Sequence, residues 1–464
     1  QWELKNYFNQ LYTKEKYTWG IRSYIRYTHC PASLTVAHRN LPILFADNML
    51  IANCIYHRNE LSSSDNISEN TYRTVIGQTH ESILAEYEEM NTGNAYTDNA
   101  LYGMRKINGV NYQLTGGFCG ELSSVKQENA YSAHSYSFYT VPRIEWERND
   151  FLFTAATTVR WSHLPKQSYS RFCVSPFFCF RYKFTPRWKM SLLGSLDESE
   201  GGLKDIYPFR YREDYRTVVK HTGKVPVTVR QLYTCYLEYK NTIKEFFWTL
   251  SASYSHNRYN LITERNYKDG NFYLSSVERN HSSHSYTLNT IGSKGIYDWN
   301  LKTSLELTLA RNKGKQLNED IVQDYRYDYL CVEPKIVWAP SVFFEAEYKA
   351  TVSCVGGGIG EDTRLDPLWE VAQRLTLSLE FHDTEFCLSG EHFYNDLSKN
   401  QHLNTWLADV SLIHKAGKWR FAASAINLFN KEQYRYTLYS AVQSYTSWVK
   451  LRPREFMVSV QYQW

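Results

Sequence analysis

The chain has 464 residues and a formal net charge of +4, so nothing in its charge points to a nucleic-acid partner. Mean hydropathy is −0.52 and no apolar run approaches the roughly 18 residues a spanning helix requires, which excludes a helical membrane protein. The length suits two or three soluble domains or one large barrel, and the 16% aromatic content, with 38 Tyr, favours a barrel whose rings lie at water–lipid boundaries.

In chain order, faint strand patterns run over 17–28, 33–41, 48–59, 70–79, 81–91, 98–107 and 109–119. Clearer ones follow at 135–148, 151–163, 171–185, 187–197, 226–240, 244–258, 281–293 and 298–311. The series continues at 326–338, 342–355, 368–381, 384–396, 403–414, 417–427 and 445–464. That is about 22 strands, with 20–22 as the range, and no composition break divides them.

The signal is alternation, because successive strand residues point to opposite faces. In 299–309 the residues Trp299, Leu301, Leu305, Leu307 and Leu309 share a face opposite Lys302, Ser304, Glu306 and Thr308. In 151–161, Phe151, Phe153, Ala155, Val159 and Trp161 oppose Thr154, Thr158 and Arg160. Residues 246–255 and 375–381 repeat the scheme. The polar faces carry charges and hydroxyls unsuited to a shared dry core, which weakens a β-sandwich. Connections alternate as well. Tight turns at 106–110, 184–188, 338–342, 381–386 and 414–419 are separated by long polar stretches at 197–225, 258–280, 311–326, 356–367 and 428–443. One rim of short turns and one of long loops is the layout of an outer-membrane barrel.

The nine cysteines are scattered, with no Cys-x-x-Cys pair, and argue against a disulfide framework or zinc site. His281 and His284 lie three apart without further ligands, so no metal is expected. Gly356–Gly358 precede neither a Lys nor a helix, and a mobile loop is the expected role. No Gly-x-Ser-x-Gly or other convergent catalytic set is read, so no enzyme and no cofactor are expected. The loop sequence 207–216 offers Tyr207, Arg210, Tyr211, Arg212 and Tyr215, which suit either a solvated loop or a platform that stacks and hydrogen-bonds a ligand.

The last residues carry a resemblance. Residues 421–436 end a strand on Asn427, Leu428, Phe429 and Asn430, with Tyr434 following. Pro453 and Arg454 then open a final strand in which Phe456, Val458, Val460, Tyr462 and Trp464 alternate. This resembles the C-terminal end of TonB-dependent outer-membrane receptors, in particular those of the Bacteroidota type. The resemblance implies an all-β, transmembrane antiparallel barrel, 1–464 as one domain, integral to the bacterial outer membrane. It also implies that the last strand is the signal read by the barrel-assembly machinery. A receptor of this kind imports a bulky nutrient of glycan, peptide, siderophore or vitamin type through a plugged lumen, with a TonB-energised component as partner.

No plug domain is read before the strands, which start near residue 17, and no leader opens the chain at Gln1. Export is therefore inferred from the barrel pattern. The plug would come from another chain, the sequence would be a fragment, or loops would fold inward. The alternatives are a plug-less passive pore and a structural or secretion-related barrel that docks surface lipoproteins.

Overall fold

The structure is a computed structural model that describes residues 2–14, 17–39, 53–58, 68–73, 83–126, 130–213, 217–268, 271–360, 363–398, 401–439 and 444–463. Its strands begin with β1 (Trp2–Lys14), β2 (Tyr17–Arg39), β3 (Asn53–Arg58), β4 (Ser68–Arg73), β5 (Ile83–Ile107), β6 (Val110–Lys126), β7 (Ala130–Arg148) and β8 (Phe151–Leu164). Next come β9 (Tyr169–Thr185), β10 (Trp188–Glu200), a single helical turn α1 (Leu203–Ile206), β11 (Tyr211–Arg212), β12 (Thr217–Lys220), β13 (Val227–Asn241), β14 (Phe246–Lys268) and β15 (Asn271–Ile296). The chain continues through β16 (Leu301–Asn318), β17 (Ile321–Ser341), β18 (Phe344–Ile359), β19 (Thr363–Phe381), β20 (Thr384–Ser398) and β21 (Gln401–Ala416). It closes on β22 (Trp419–Ile426), β23 (Gln433–Tyr439), β24 (Ser444–Lys450) and β25 (Glu455–Tyr462).

Among the described residues, 23 of these strands form one sheet and β23 pairs with β24 alone. Each long strand pairs antiparallel with the next in sequence, so the sheet is a meander from β1 to β25, with β3, β4, β11 and β12 belonging to its connections. Short hairpins link β5 to β6, β7 to β8, β9 to β10, β17 to β18, β19 to β20 and β21 to β22, all at one rim. At the β5–β6 turn, Asn108 (φ 51°) and Gly109 (φ 82°) take the paired left-handed conformations of the two-residue turn that matches strand twist. The other rim carries the longer connections, including residues 201–226 and 427–454.

The register shows how the sheet is set. One unbroken cross-strand row runs Ile107, Val110, Trp146, Phe153, Phe180, Leu192, Cys235, Ala252, Leu288, Leu309, Leu330, Cys354 and Trp369. Directly paired residues share a face, so this row is a single apolar stripe on one side of the sheet. It begins at Ile107, the last residue of β5 at the short-turn rim, and reaches Trp369, twelve residues above the end of β19 at Phe381. That climb is about one residue per strand. With a rise of about 3.3 Å along the strand and about 4.8 Å between strands, it corresponds to a tilt of roughly 35°, the stagger a closing barrel requires.

The side bearing the stripe is the exposed one: Leu305, Leu375, Leu379, Val458 and Phe456 are each more than 40% accessible, the last at 74%. The adjacent row, Thr154, Cys179, Leu193, Thr234, Ser253, Thr287, Ala310 and Tyr329, points the other way. Apolar side chains outward and polar ones inward is the reverse of a soluble sheet's packing, and it suits lipid around the wall. At the short-turn rim aromatic pairs succeed one another: Tyr12–Trp19 at 5.6 Å, Phe151–Tyr182 at 4.3 Å, Trp188–Tyr239 at 4.8 Å, Trp338–Phe344 at 5.8 Å and Trp419–Tyr462 at 4.7 Å.

The alternating faces of 151–161 and 301–309 stand as the sequence indicates, whereas Trp299 closes a short 3-10 turn (Tyr297–Trp299) followed by the left-handed Asn300 (φ 47°) ahead of β16; the boundaries differ in further places. Segment 17–28 and residues 33–39 are one strand, β2, in which Pro31 lies opposite Asn91; residues 40–41 lie outside the described residues. Residues 83–91 and segment 98–107 are likewise one strand, β5, with 81–82 outside the described residues; its turn-like residues Asn91–Asn94 are held by register with both β2 and β6. Residues 2–14, ahead of the first strand expected, form β1. The polar stretches 258–280 and 311–326 are largely ribbon, because β14–β15 and β16–β17 continue pairing beyond the wall. Gly356–Ile359, expected in a loop, extend β18. The segment 445–464 divides between β24 and β25, and Trp464 lies outside the described residues.

Candidate functional site at the barrel mouth

Residues 201–213 and 217–226, between β10 and β13, fold back over the long-loop end of the barrel. The base is pinned where the Gly201 N–H donates to the Pro226 carbonyl at 2.8 Å. Asn260 of β14 grips the returning leg, accepting from the Val227 N–H at 2.7 Å and donating to the Val225 carbonyl at 2.9 Å. Within the loop, Tyr211 and Arg212 of β11 pair with Val219 and Val218 of β12, and β12 runs parallel to residues 272–275 of β15.

The interior of this lid is the largest dry cluster among the described residues. Ile206, Tyr207, Tyr211, Val219 and Val225 pack on Val125, Tyr131, Ala133 and Leu164. The receiving side chains stand on the inward faces of β6, β7 and β8, opposite in parity to Trp146 and Phe153 of the apolar stripe. Tyr207, 1% exposed, meets Tyr131 edge to face at 5.7 Å. Lys166 Nζ sits 3.7 Å from the centre of the Tyr131 ring, and Gln167 donates to the Tyr131 hydroxyl at 2.7 Å. Burying a tyrosine of this size contributes on the order of 2–3 kcal/mol, so the lid rests closed against the wall.

Beneath it lies a polar cavity of about 170 Å³ bordered by Glu121, Arg160, Ser162, Glu200 and Ile206. Arg160 donates to the Glu198 carbonyl at 2.9 Å and stands 3.8 Å from Glu200, while Arg171 grips Glu198 through Nε at 3.1 Å and Nη2 at 2.9 Å. Further charge pairs include Arg22–Asp98, with Tyr139 donating to the same carboxylate at 2.7 Å, and Arg374–Glu391 at 3.6 Å. Glu306 accepts from Asn289 at 2.8 Å. Lys302 is exposed on the same inward face as Glu306. A lumen lined this way offers paired charges and amides to a hydrated solute.

The loop residues singled out from sequence divide between two environments. Tyr207 and Tyr211 lie inside the lid core, Arg210 reaches over the Tyr273 ring at 5.2 Å, and Arg212 is half-buried in β11. Tyr215 lies outside the described residues. The wall residues that receive the lid, Val125, Tyr131, Leu164 and Lys166, carried no local signal in the sequence.

The C-terminal motif residues do converge. Asn427 (φ 54°) donates from its amide to the Lys431 and Arg452 carbonyls, both at 2.8 Å, and accepts from the Lys431 N–H at 2.9 Å. Asn430 accepts from the Arg454 N–H at 2.9 Å, next to Pro453. Leu428 N–H donates to the Ala408 carbonyl at 2.8 Å, Phe429 is exposed, and Tyr434 belongs to the β23–β24 hairpin. The motif therefore ties the end of β22 to the start of β25. On β25, Phe456, Val458, Val460 and Tyr462 pair with Ala425, Ala423, Phe421 and Trp419 on the outer face.

His281 and His284 are on opposite faces of β15, stacked on Tyr259 at 4.8 Å and His256 at 4.5 Å respectively. No group of three metal-ligating side chains occurs among the described residues.

No protein-family model matches the chain, and no curated protein matches it. Among solved structures, the ferric yersiniabactin uptake receptor FyuA from Yersinia pestis is similar with a TM-score of 0.41 and 9% identity, over 96% of this chain and 68% of that one.

Proposed function

We propose that the chain is an integral outer-membrane transport barrel of the TonB-dependent receptor type, importing a bulky hydrated nutrient without bond chemistry. The observation that carries the reading is the tilted apolar stripe from Ile107 to Trp369, facing away from a wall interior of paired charges. Lipid is the partner that such an outward face accepts. Capture would take place on the long connections, and passage would follow displacement of whatever occupies the lumen by an inner-membrane-energised component. Glycan, peptide, siderophore and vitamin remain the solute classes; β25, with its alternating outer face, would be the strand the assembly machinery engages.

The lid gives a specific reason to keep a second reading, a barrel occluded by its own loop that works as a passive pore, with or without a surface lipoprotein on its rim. Single-channel recording on the reconstituted chain tests both. A lipid-embedded barrel inserts into planar bilayers, and deletion of residues 203–224 raises conductance under the passive reading. Under the energised reading, conductance of the whole receptor stays low until a TonB-type component is supplied. Failure to insert into bilayers removes both.

A further inference from the structure

Two residues above the apolar stripe, the outer face of β14–β19 changes character row by row. Tyr254, Tyr286, Arg311, Asp328 and Gly356 form the next row, and His256, His284, Lys313, Arg326, Gly358 and Arg364 the one above it. Arg311 stands ten residues along the strand from Leu301. At about 3.3 Å per residue and a tilt of roughly 35°, that is a height of about 27 Å, just above the roughly 25 Å apolar band of an outer-membrane barrel. These side chains thus sit at the far water–lipid boundary.

The two rows border an open groove of about 830 Å³ whose lower lining is Leu288, Leu309, Leu330 and Cys354. A second groove of about 560 Å³ adjoins it and shares Lys313, Arg326 and Arg364. Gly358, between Arg326 and Arg364, and Gly356, beside Asp328, place no Cβ on this face, which leaves the space open. Arg311, Lys313, Lys315, Arg326 and Arg364 stand here with three carboxylates among the described residues, Asp324, Asp328 and the exposed Asp366 two residues after Arg364. Asp328 bridges Arg311 Nε at 2.5 Å and Arg326 Nε at 3.0 Å, and Asp324 stands 3.9 Å from Lys315. Asp328 orients two of the guanidiniums, and the described residues of the cluster, five cations to three carboxylates, are in positive excess.

We propose that this outer face binds the phosphorylated headgroup of an outer-leaflet lipid, with its acyl chains lying down the apolar stripe. The match is one of charge and of height together: cations at headgroup level, tyrosines at the boundary, aliphatic side chains below. Guanidinium pairs suit phosphate oxygens, and a zwitterionic headgroup neutralises itself. The proposal rests on the reading of the sheet as lipid-embedded.

The test uses the full chain in phosphatidylcholine vesicles with and without 10 mol% phosphatidic acid, followed by native mass spectrometry of the detergent-released protein. Retention of phosphatidic acid over phosphatidylcholine is expected, falling by about fivefold for each charge removed in R311Q, K313Q, R326Q and R364Q. R326K, which keeps the charge, retains most of the preference. Equal retention of the two lipids overturns the proposal, as does an unchanged preference in the quadruple variant. Displacement of phosphatidic acid by millimolar inorganic phosphate identifies a free-phosphate site and overturns the lipid assignment. Failure of the chain to enter vesicles at all strikes the membrane reading, which keeps the two failures distinct.

Discussion

The side-chain amide of Asn427 donates to the backbone carbonyl of Arg452, 25 residues further on, at 2.8 Å. That bond crosses the base of the excursion carrying β23 and β24, and it fixes where the last strand starts. Asn427 is 5% exposed, so an unpaired carbonyl left behind has no ready access to water. Replacement by Ala removes two donations and one acceptance at a left-handed residue, a loss of about 2–4 kcal/mol. The expected outcome for Asn427→Ala is a lower midpoint for the heat-induced gel shift and a reduced assembled fraction. Asn427→Gly restores the backbone term and remains below wild type; parity of Asn427→Ala with wild type removes the stapling role.

Leu309 and Ala310 are adjacent and face opposite sides of β16, opposite Leu288 and Thr287 of β15. By the rise and tilt that place Arg311, Leu309 stands about 22 Å up the wall, near the upper edge of the apolar band, where a charge on the lipid side costs up to about 1 kcal/mol, and the lumen side keeps access to water. Leu309→Arg is therefore expected to lower the ratio of membrane-assembled to unassembled protein by up to about fivefold, with Ala310→Arg close to wild type, as read by membrane fractionation and gel shift. The same loss for both variants counts against lipid on the outer face.

That pair also marks what the sequence carries plainly. Alternation is local, so Leu309 and Ala310 announce their faces within a few residues, and the turn at Asn108–Gly109 announces its own geometry. Strand continuity is not local. Asn91–Asn94 read as a break, and they stay extended because β2 and β6 pair with them on either side. The mouth was harder still. Tyr207 and Arg210 suggest a ligand platform when only the loop is in view, whereas the contact that buries Tyr207 comes from Val125 and Tyr131, far away in the chain. The motif around Asn427 is visible as a pattern; its function as a knot depends on where the ends of β22 and β25 meet in space.

Tyr207 is the ring on which the lid turns, since it touches Tyr131, Phe209 and Tyr211 at ring separations of 5.7, 5.5 and 6.0 Å. Truncating a buried aromatic costs about 3–5 kcal/mol, and here the loss falls on lid docking because the wall's own hydrogen bonds are untouched. Tyr207→Ala is expected to make residues 201–226 sensitive to added protease and to raise conductance, with the gel-shift midpoint of the barrel unchanged. Arg210→Ala, on the lid's outer surface over Tyr273, is expected to change neither. A protease-resistant Tyr207→Ala lid shows that other contacts hold it.

Arg171 and Glu198 supply the last expected outcome, because their bond is inside the mouth and involves both Nε and Nη2 of the guanidinium. Glu198→Gln keeps the shape and an acceptor oxygen but removes one negative charge, leaving Arg171 and the neighbouring Arg160 in excess over Glu200. Fixed charge in a narrow aqueous passage selects counter-ions, so the passage becomes more favourable to anions. Measured in the Tyr207→Ala background, where the lid is displaced, the reversal potential in a potassium chloride gradient moves toward the chloride potential. At about 1 M salt the screening length shrinks to about 3 Å and the difference between the two forms narrows. An unchanged reversal potential at low salt places the conducting path away from Arg171 and Glu198.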